Sequence, residues 1–451
     1  MNTLEAAERA ASHGGPGALA LVTRERSLML RFAASRPTQS TAVDDVTVEL
    51  AVPLRGNVGR ASTNAIDERS LADCAARARL AAEAAEATHD GDFPGFGPDY
   101  DLPAHHGFDA ATAELDPAPG GAALADAFVV AEAHGLEAHG IWTPAEEERA
   151  FATSEGGGAL DRTTNAFMKV ICIAPSGRSG YASQASVAAA DLVPAELAER
   201  AALKAAASGD PVELPPGEYP VVFEPQAVGW LLDLLGETAL NGLAHAEGRG
   251  ALDGRLRQQV AAPAINLSDS PGYGRTLPRA FDAEGTRKAP VPLIQDGVAY
   301  GVVHDIRSAT SAGAVSTGHA LAPGGTPGGP HPTNLVLAGG GAADEGELCS
   351  VVERGIYVTR LWYANVVRPK ETLITAVTRD GTFLIEDGRV TRPLRDLRLT
   401  DSVLGILSRA RALTREQKLT SDGEFYGRRF AYGVVCPALR ADAVRFTGAA
   451  A

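Results

Sequence analysis

The sequence predicts an α+β protein, in which an α/β N-terminal domain is followed by a β-rich C-terminal domain. Three observations support this prediction. Helical and strand patterns alternate through the first half, residues 208–220 are rich in proline and glycine, and short strands with turn signals dominate the rest. Because 451 residues exceed one ordinary hydrophobic core, we expect two domains, residues 1–212 and 213–451.

In the N-terminal half, alanine-rich helical segments are interspersed with strands rich in apolar residues. Alanine favours helices, whereas runs of apolar and β-branched residues favour strands. The helices are expected at 4–15, 70–87, about 121–134 and 194–208, and the strands at 18–23, 27–35, 45–52, 136–143 and 165–174.

The C-terminal half opens with a strand that leads into an apolar helix at about 226–241. Its apolar residues cover most of the helix surface, so we expect it to be buried. The segments 292–303 and 382–394 each pivot on Asp-Gly, which predicts two β-hairpins. The Gly/Pro-rich segment 322–334 predicts an irregular loop.

Composition excludes several classes of function. The net charge of −15 argues against nucleic-acid binding, which needs a concentrated basic face. The sequence has no 18-residue apolar run and no apolar signal region at the N-terminus, so we expect no membrane association and a cytoplasmic location. The four cysteines are too far apart for a CxxC motif, which favours a reducing compartment.

Two histidine pairs resemble metal sites but do not have suitable spacing. His134 and His139 are separated by a glycine that is expected to end a helix, so the two imidazoles should not face one ion. His105 and His106 are adjacent in a loop and lack a nearby third ligand. We expect the latter two to be solvated.

The helix at 226–241 carries two acidic residues one turn apart, Asp233 and Glu237. They share one helix face and could bind a hard cation through oxygen ligands. Alternatively, the pair is exposed or is neutralised by an arginine or lysine from elsewhere. No third ligand can be identified, which favours the second interpretation.

Four further residues are candidates for the lining of a substrate cleft: Ser316, His319, Asn334 and Arg360. Ser316 and His319 lie in a turn of small residues close to the Gly/Pro-rich loop. The alternative for each residue is a structural role, because one histidine without a partner performs no acid–base chemistry.

Nearly the whole chain resembles the TldD/PmbA family of zinc metallopeptidases, and specifically its TldE (PmbA) branch. The resemblance rests on the order and spacing of several segments. These are LRFAASRPTQST (30–41), GNVGRASTNAID (56–67), VVFEPQAVGWLLDLLG (221–236), PLIQDGVAYGVVHDIRSA (292–309), STG (316–318), GIYVTRLWY (355–363) and GTFLIEDGRVTRPLRDLRLT (381–400). It implies a barrel-like C-terminal domain.

In the TldD branch, the corresponding helix carries HExxxH, with two zinc-binding histidines and a general-base glutamate, and a C-terminal cysteine is a further ligand. At these positions the present sequence has Asp233, Leu234 and Thr238, and Cys436 lies in the region of the cysteine. Leucine cannot deprotonate water, and these side chains are a degenerate ligand set for zinc. The resemblance therefore implies no catalytic residue, metal or cofactor in this chain.

The resemblance to TldE implies a TldD-like partner that carries zinc and HExxxH and hydrolyses peptide or small amide substrates. This chain would be the non-catalytic subunit that shapes the cleft, or would form a homodimer where no such partner exists. Two alternatives remain. One is a self-sufficient hydrolase with a divergent metal site, built from residues such as Asp233, Glu237 and Cys436, and the other is a peptide-binding scaffold without catalysis.

Overall fold

The computed structural model describes residues 2–87, 91–421 and 429–449. Within these ranges, no helix is both long and apolar enough to cross a lipid bilayer. The architecture is mixed α+β, with a helix-and-strand N-terminal region and a β-rich C-terminal region, which confirms the predicted fold class.

The N-terminal region is one antiparallel sheet of six strands with helices packed against it. The strand order is β3-β2-β1-β4-β5-β6. The strands are β1 (Leu19–Ala33), β2 (Arg36–Leu54), β3 (Asn57–Thr63), β4 (Glu137–Thr153), β5 (Gly158–Ile173) and β6 (Ser179–Ser186). The helices are α1 (Thr3–Gly14), α2 (Glu68–Glu86), α3 (Ala110–Ala113), α4 (Ala118–Ala133) and α5 (Pro194–Ala207).

The strands of this sheet are longer than the sequence predicts. The two strands expected at 18–23 and 27–35 form a single strand, β1, which runs without a break through the charged residues between them. Arg24 is accommodated because it pairs with Asp44 of β2 at 2.9 Å. A cross-strand ion pair therefore lies within the stretch where the sequence predicted a break between two strands.

The C-terminal region contains thirteen strands and five helices among the described residues. The strands are β7 (Gly217–Phe223), β8 (Leu267–Asp269), β9 (Val291–Gln295), β10 (Val298–Ala299), β11 (Asn334–Leu337), β12 (Arg354–Arg368), β13 (Leu373–Glu386), β14 (Arg389–Pro393), β15 (Leu397–Ser402), β16 (Ala410–Leu413), β17 (Lys418–Thr420), β18 (Gly433–Cys436) and β19 (Leu439–Ala449). The helices are α6 (Pro225–Thr238), α7 (Gly242–Ala246), α8 (Ile306–Ala312), α9 (Glu345–Ser350) and α10 (Val403–Ser408).

Five of these strands close into a small barrel. They follow the order β12-β7-β19-β15-β13, and β13 pairs again with β12. Closure leaves no free edge among these five strands, and it places apolar residues such as Phe223, Val358 and Phe446 in one core with helix α6. A second sheet has the order β10-β9-β8-β11-β18-β17.

Both predicted Asp-Gly hairpins are present. Asp296 and Gly297 have φ angles of 49° and 75°, and Asp387 and Gly388 have 49° and 78°. Positive φ at both central residues is the requirement of a type I′ turn, which Asp-Gly fulfils at low cost. The segment 322–333 contains no helix or strand, as predicted for the Gly/Pro-rich loop.

Candidate functional site

Helix α6 presents Asp233 to a hydrogen-bonded contact at the protein surface. Its Oδ1 lies 3.0 Å from Nε2 of His331, and its Oδ2 accepts a long hydrogen bond of 3.5 Å from the Tyr432 hydroxyl. The side chains of Asp233 and His331 are 25% and 19% exposed. The carboxylate is therefore hydrogen-bonded to a histidine from the Gly/Pro-rich loop, rather than paired with an arginine or lysine.

The other two positions of the degenerate motif face the protein interior. Leu234 is buried, and Thr238 is buried with its hydroxyl donating to the backbone carbonyl of Leu234 at 2.8 Å. A threonine that bonds to its own helix has its hydroxyl proton engaged. Glu237, the second acid of the predicted pair, is exposed and has no hydrogen-bond or ion-pair partner among the described residues.

Cys436 contacts the first residue of helix α6, whereas Asp233 lies in the second half of that helix. Its thiol is completely buried and lies 3.2 Å from the carbonyl oxygen of Pro225, the first residue of the helix. Pro225 and Asp233 are eight positions apart along the helix, a rise of about 12 Å between their Cα atoms. Burial raises the pKa of Cys436 to about 12, so the thiol remains protonated.

These residues do not fit a zinc ion. A structural or catalytic zinc needs at least three protein ligands at about 2.0–2.3 Å, and Asp233, Thr238 and Cys436 do not converge. Within the described ranges, no group of three or more histidine, cysteine, aspartate or glutamate side chains is arranged to hold a metal. A cavity of about 50 Å³ beside Asp233, bordered by Trp230 and Tyr432, has room for only one or two water molecules.

The start of helix α6 is anchored by a buried carboxylate, Glu224. Its two oxygens accept hydrogen bonds of 2.8 Å from Lys204 of helix α5 and from the Tyr357 hydroxyl of β12. Burial alone would raise the pKa of Glu224, but Lys204 and Arg200 outweigh that effect and lower it. This ion pair connects the N-terminal region to the helix that carries Asp233.

Three of the four predicted cleft residues lie close together in the C-terminal region. His319 Nε2 lies 3.1 Å from Asp269 Oδ1, and the backbone amide of Asn334 donates to Asp269 Oδ2 at 2.8 Å. Ser316 is half-buried, and its hydroxyl donates to the carbonyl of His304 at 3.3 Å. Burial would raise the pKa of Asp269, but Lys288 and His319 lower it well below its usual range.

Arg360 lies elsewhere, between the two regions of the chain. Its guanidinium pairs with Asp380 and stacks 4.1 Å from the ring centroid of Tyr181 in β6. Asp380 in turn accepts a hydrogen bond of 2.5 Å from Ser179 of β6. None of the four predicted residues borders the cavity beside Asp233 or the larger groove described next. Their role in a cleft stays a prediction.

A much larger groove of about 730 Å³ lies between the N-terminal sheet and the C-terminal sheet that ends in β17. One wall is the second half of β6, the last strand of the N-terminal sheet, with the start of α5. The opposite wall includes Lys418 and Leu419 of β17, the last strand of its own sheet. On its outer side, neither strand pairs with another strand of the described chain. Two unpaired strand edges therefore border one groove.

The groove carries charges of both signs. The side chains that line it include three basic residues, Arg200, Arg275 and Lys418, and four acidic ones, Asp109, Asp191, Glu196 and Glu416. Such a mixture does not favour a polyanion. The groove adjoins the Asp233 cavity, because Ser183 of the groove donates a hydrogen bond of 3.2 Å to Gln226 of helix α6.

Comparison with known proteins places the chain in a family. Residues 216–448, about half of the chain, match the model of the PmbA/TldA metallopeptidase C-terminal domain. The chain belongs to the PmbA/TldD family. Relatives in this metallopeptidase family include the "Metalloprotease" of Methanothermobacter thermautotrophicus, 26% identical over 43% of the chain, and the "Metalloprotease TldD homolog" of Haemophilus influenzae, 26% identical over 60%. The matches span 42% and 57% of these relatives, about half of each.

Solved structures share the PmbA/TldD fold over nearly the whole chain. TldE from Thermococcus kodakarensis superposes with a TM-score of 0.83 at 20% identity, covering 96% of both chains. A proposed modulator of a DNA gyrase from Thermotoga maritima gives 0.81 at 19% identity, covering 95% of both chains. At these identities the likeness establishes the architecture alone.

The histidines of the two pairs contact carboxylates or lie on elements other than helix α6. His134 follows helix α4 and lies 3.0 Å from Glu199, whereas His139 lies within β4. The expectation that His105 is solvated is wrong. Its side chain is 11% exposed and contacts Asp161 at 2.8 Å, because the loop folds back onto β5.

Proposed function

We propose that this chain is a non-catalytic, TldE-like subunit of a heteromeric zinc metallopeptidase, and that a TldD-like partner bearing HExxxH supplies the zinc. The single observation that carries the proposal is the environment of three side chains on helix α6. Asp233 is paired with His331, whereas Leu234 and Thr238 are buried. Leu234 stands where the TldD branch would carry its general-base glutamate, and a leucine cannot deprotonate a zinc-bound water, so we infer that hydrolysis requires a second polypeptide.

The groove between β6 and β17 supports a role in holding an extended peptide. A strand edge presents unpaired backbone donors and acceptors, and an extended peptide can add to it as a further strand. Because both of these terminal strands line one groove, a peptide could be held from either side. Backbone recognition is largely independent of sequence, and the mixed charges of the groove impose no strong preference for acidic or basic side chains.

The proposal also includes an enclosed assembly in the cytoplasm. The subunit would cover the partner's zinc and deliver the scissile bond, which excludes bulk water from the reaction. It would act on peptide or small amide substrates, in proteolysis or in peptide maturation. The contribution of this chain is positioning, through its groove, and no proton transfer is assigned to its residues.

The test compares the purified chain, a HExxxH-bearing partner from the same genome, and their mixture. We expect the chain alone to contain less than stoichiometric zinc by mass spectrometry and to hydrolyse no peptide, whereas the mixture should cleave unfolded peptides. Zinc-dependent hydrolysis by the chain alone would establish the self-sufficient alternative. A partner whose activity the chain does not change would leave only the scaffold alternative.

A pair of variants tests the groove itself. Val187 lines the groove immediately after β6, and Val187→Arg would obstruct it. Val129, which is 67% exposed on helix α4 and does not line the groove, provides the matched control Val129→Arg. In the mixture we expect Val187→Arg to raise KM for peptides at least tenfold, with little change for Val129→Arg. Equal effects of the two variants would show that the groove does not hold substrate.

A further inference from the structure

A third cavity, lined mainly by charged residues, lies beside strands of the C-terminal barrel. It has a volume of about 540 Å³ and is bordered by residues of four neighbouring strands, β16, β19, β7 and β12. Pro220, Val351 and Val352 form an apolar part of its wall. Val351 is 68% exposed, so an aliphatic surface is available at the rim.

The remaining wall is dominated by three arginines. Arg354, Arg411 and Arg440 face two acids, Glu353 and Asp442, which gives a local charge of 3 − 2 = +1. The chain as a whole has a net charge of −15, so the charge of this cavity is opposite in sign to that of the protein. Arginine is suited to oxyanions because its planar guanidinium donates two parallel hydrogen bonds.

The hydrogen bonds of these arginines are incompletely satisfied. Arg411 is paired, since its Nε donates to Asp442 at 2.6 Å. Arg440 has a buried Nε without a hydrogen-bond partner, and its side chain forms no ion pair with any described residue. Arg354 is exposed and likewise forms no ion pair in the described part of the chain. The guanidinium groups of Arg354 and Arg440 line the cavity and could donate hydrogen bonds to an oxygen of a ligand there.

We propose that this cavity binds a small organic carboxylate that carries an aliphatic group, of the kind presented by the C-terminus of a short peptide. The carboxylate accepts hydrogen bonds from Arg440 and Arg354, and the aliphatic group packs against Val351. Inorganic phosphate shares the oxyanion but not the aliphatic group. The arginines thus favour an anionic ligand over an uncharged one. The apolar rim favours a carboxylate that carries an aliphatic group over phosphate, which has none.

The experiment titrates the full chain with three probes and measures the binding of each probe by ligand-observed NMR. The probes are N-acetyl-leucine, its uncharged amide and inorganic phosphate. We expect the acid to bind at least tenfold more tightly than the amide, which corresponds to about 1.4 kcal/mol. Equal binding of acid and amide would overturn the role of the arginines. Phosphate binding as tightly as the acid would overturn the role of Val351.

Three arginine variants locate the site. Arg440→Gln and Arg354→Gln should each weaken binding of the acid at least tenfold. Arg398→Gln, at an exposed position of β15 that does not border the cavity, should leave it unchanged. Arg354 is exposed, so its variant remains informative if Arg440→Gln fails to fold. Unchanged affinity in Arg354→Gln, or in a folded Arg440→Gln, contradicts the proposal.

Discussion

Nε2 of His331 lies 3.0 Å from Oδ1 of Asp233, the first of the positions that the sequence resemblance predicts to be degenerate zinc-ligand positions. The contact joins the Gly/Pro-rich loop to helix α6. It supplies the Asp233 carboxylate with a hydrogen-bond partner from the same chain. We therefore predict how zinc affects the thermal stability of the isolated chain.

Zinc should not stabilise the isolated chain. A site with a Kd of about 1 µM would add about 2.7 kcal/mol at 100 µM zinc, enough to raise the melting temperature by several degrees. We expect a change of less than about 1 °C by differential scanning calorimetry, because among the described residues no group of three or more metal-binding side chains is arranged to hold an ion. A rise of several degrees that Asp233→Asn abolishes would contradict the prediction.

The degenerate helix could be predicted from sequence, but its partner could not. An apolar helix with acids four residues apart is a local pattern, and the structure confirms its burial. His331 lies 98 residues from Asp233, and nothing in the loop sequence indicates that contact. The same holds for the groove, since β6 and β17 are distant in sequence and β17 has only three residues. Strand edges become visible only once sheet order is known.

Glu224→Gln should destabilise the protein strongly. The substitution leaves the Lys204 ammonium largely buried without its carboxylate, and loss of one partner of a buried pair costs about 3–5 kcal/mol. Urea denaturation at pH 7 measures the loss. Because the folded-state pKa of Glu224 is lowered, its contribution is present at neutral pH and is lost as the pH falls through that folded value.

Two further variants separate charge burial from general damage to the helix. Glu224→Gln combined with Lys204→Met removes both charges, and we expect it to recover at least half of the lost stability. Glu237→Gln changes an exposed acid on the same helix and should have no measurable effect. A double variant no more stable than Glu224→Gln would show that the ion pair is not the cause.

Asp396→Asn should stabilise the protein above pH 6. Burial, followed by repulsion from Asp380, raises the pKa of Asp396 to about 6. A carboxyl group whose folded-state pKa is raised favours the fold below its unfolded value of about 4, and this contribution is lost as the pH rises to about 6. We expect a gain of about 1–2 kcal/mol at pH 7 and little change at pH 4, measured by urea denaturation. Asp126→Asn, on the exposed face of helix α4, should leave the pH profile unchanged.

Gly229→Ala should destabilise the protein although alanine is the better helix former. A Cβ at Gly229 would lie 2.1 Å from the Thr420 hydroxyl oxygen of β17, and that hydroxyl is held by a hydrogen bond of 3.0 Å to the Val434 carbonyl. The helix gains about 1 kcal/mol in propensity, but displacing a packed strand costs about 1–3 kcal/mol, so we expect a net loss in urea denaturation. Gly121→Ala in helix α4, where no atom lies within 4 Å of the new Cβ, should instead stabilise by about 0.5–1 kcal/mol. If both variants stabilise alike, β17 does not depend on its close approach to helix α6, and the wall it gives to the groove is less fixed than the contacts indicate.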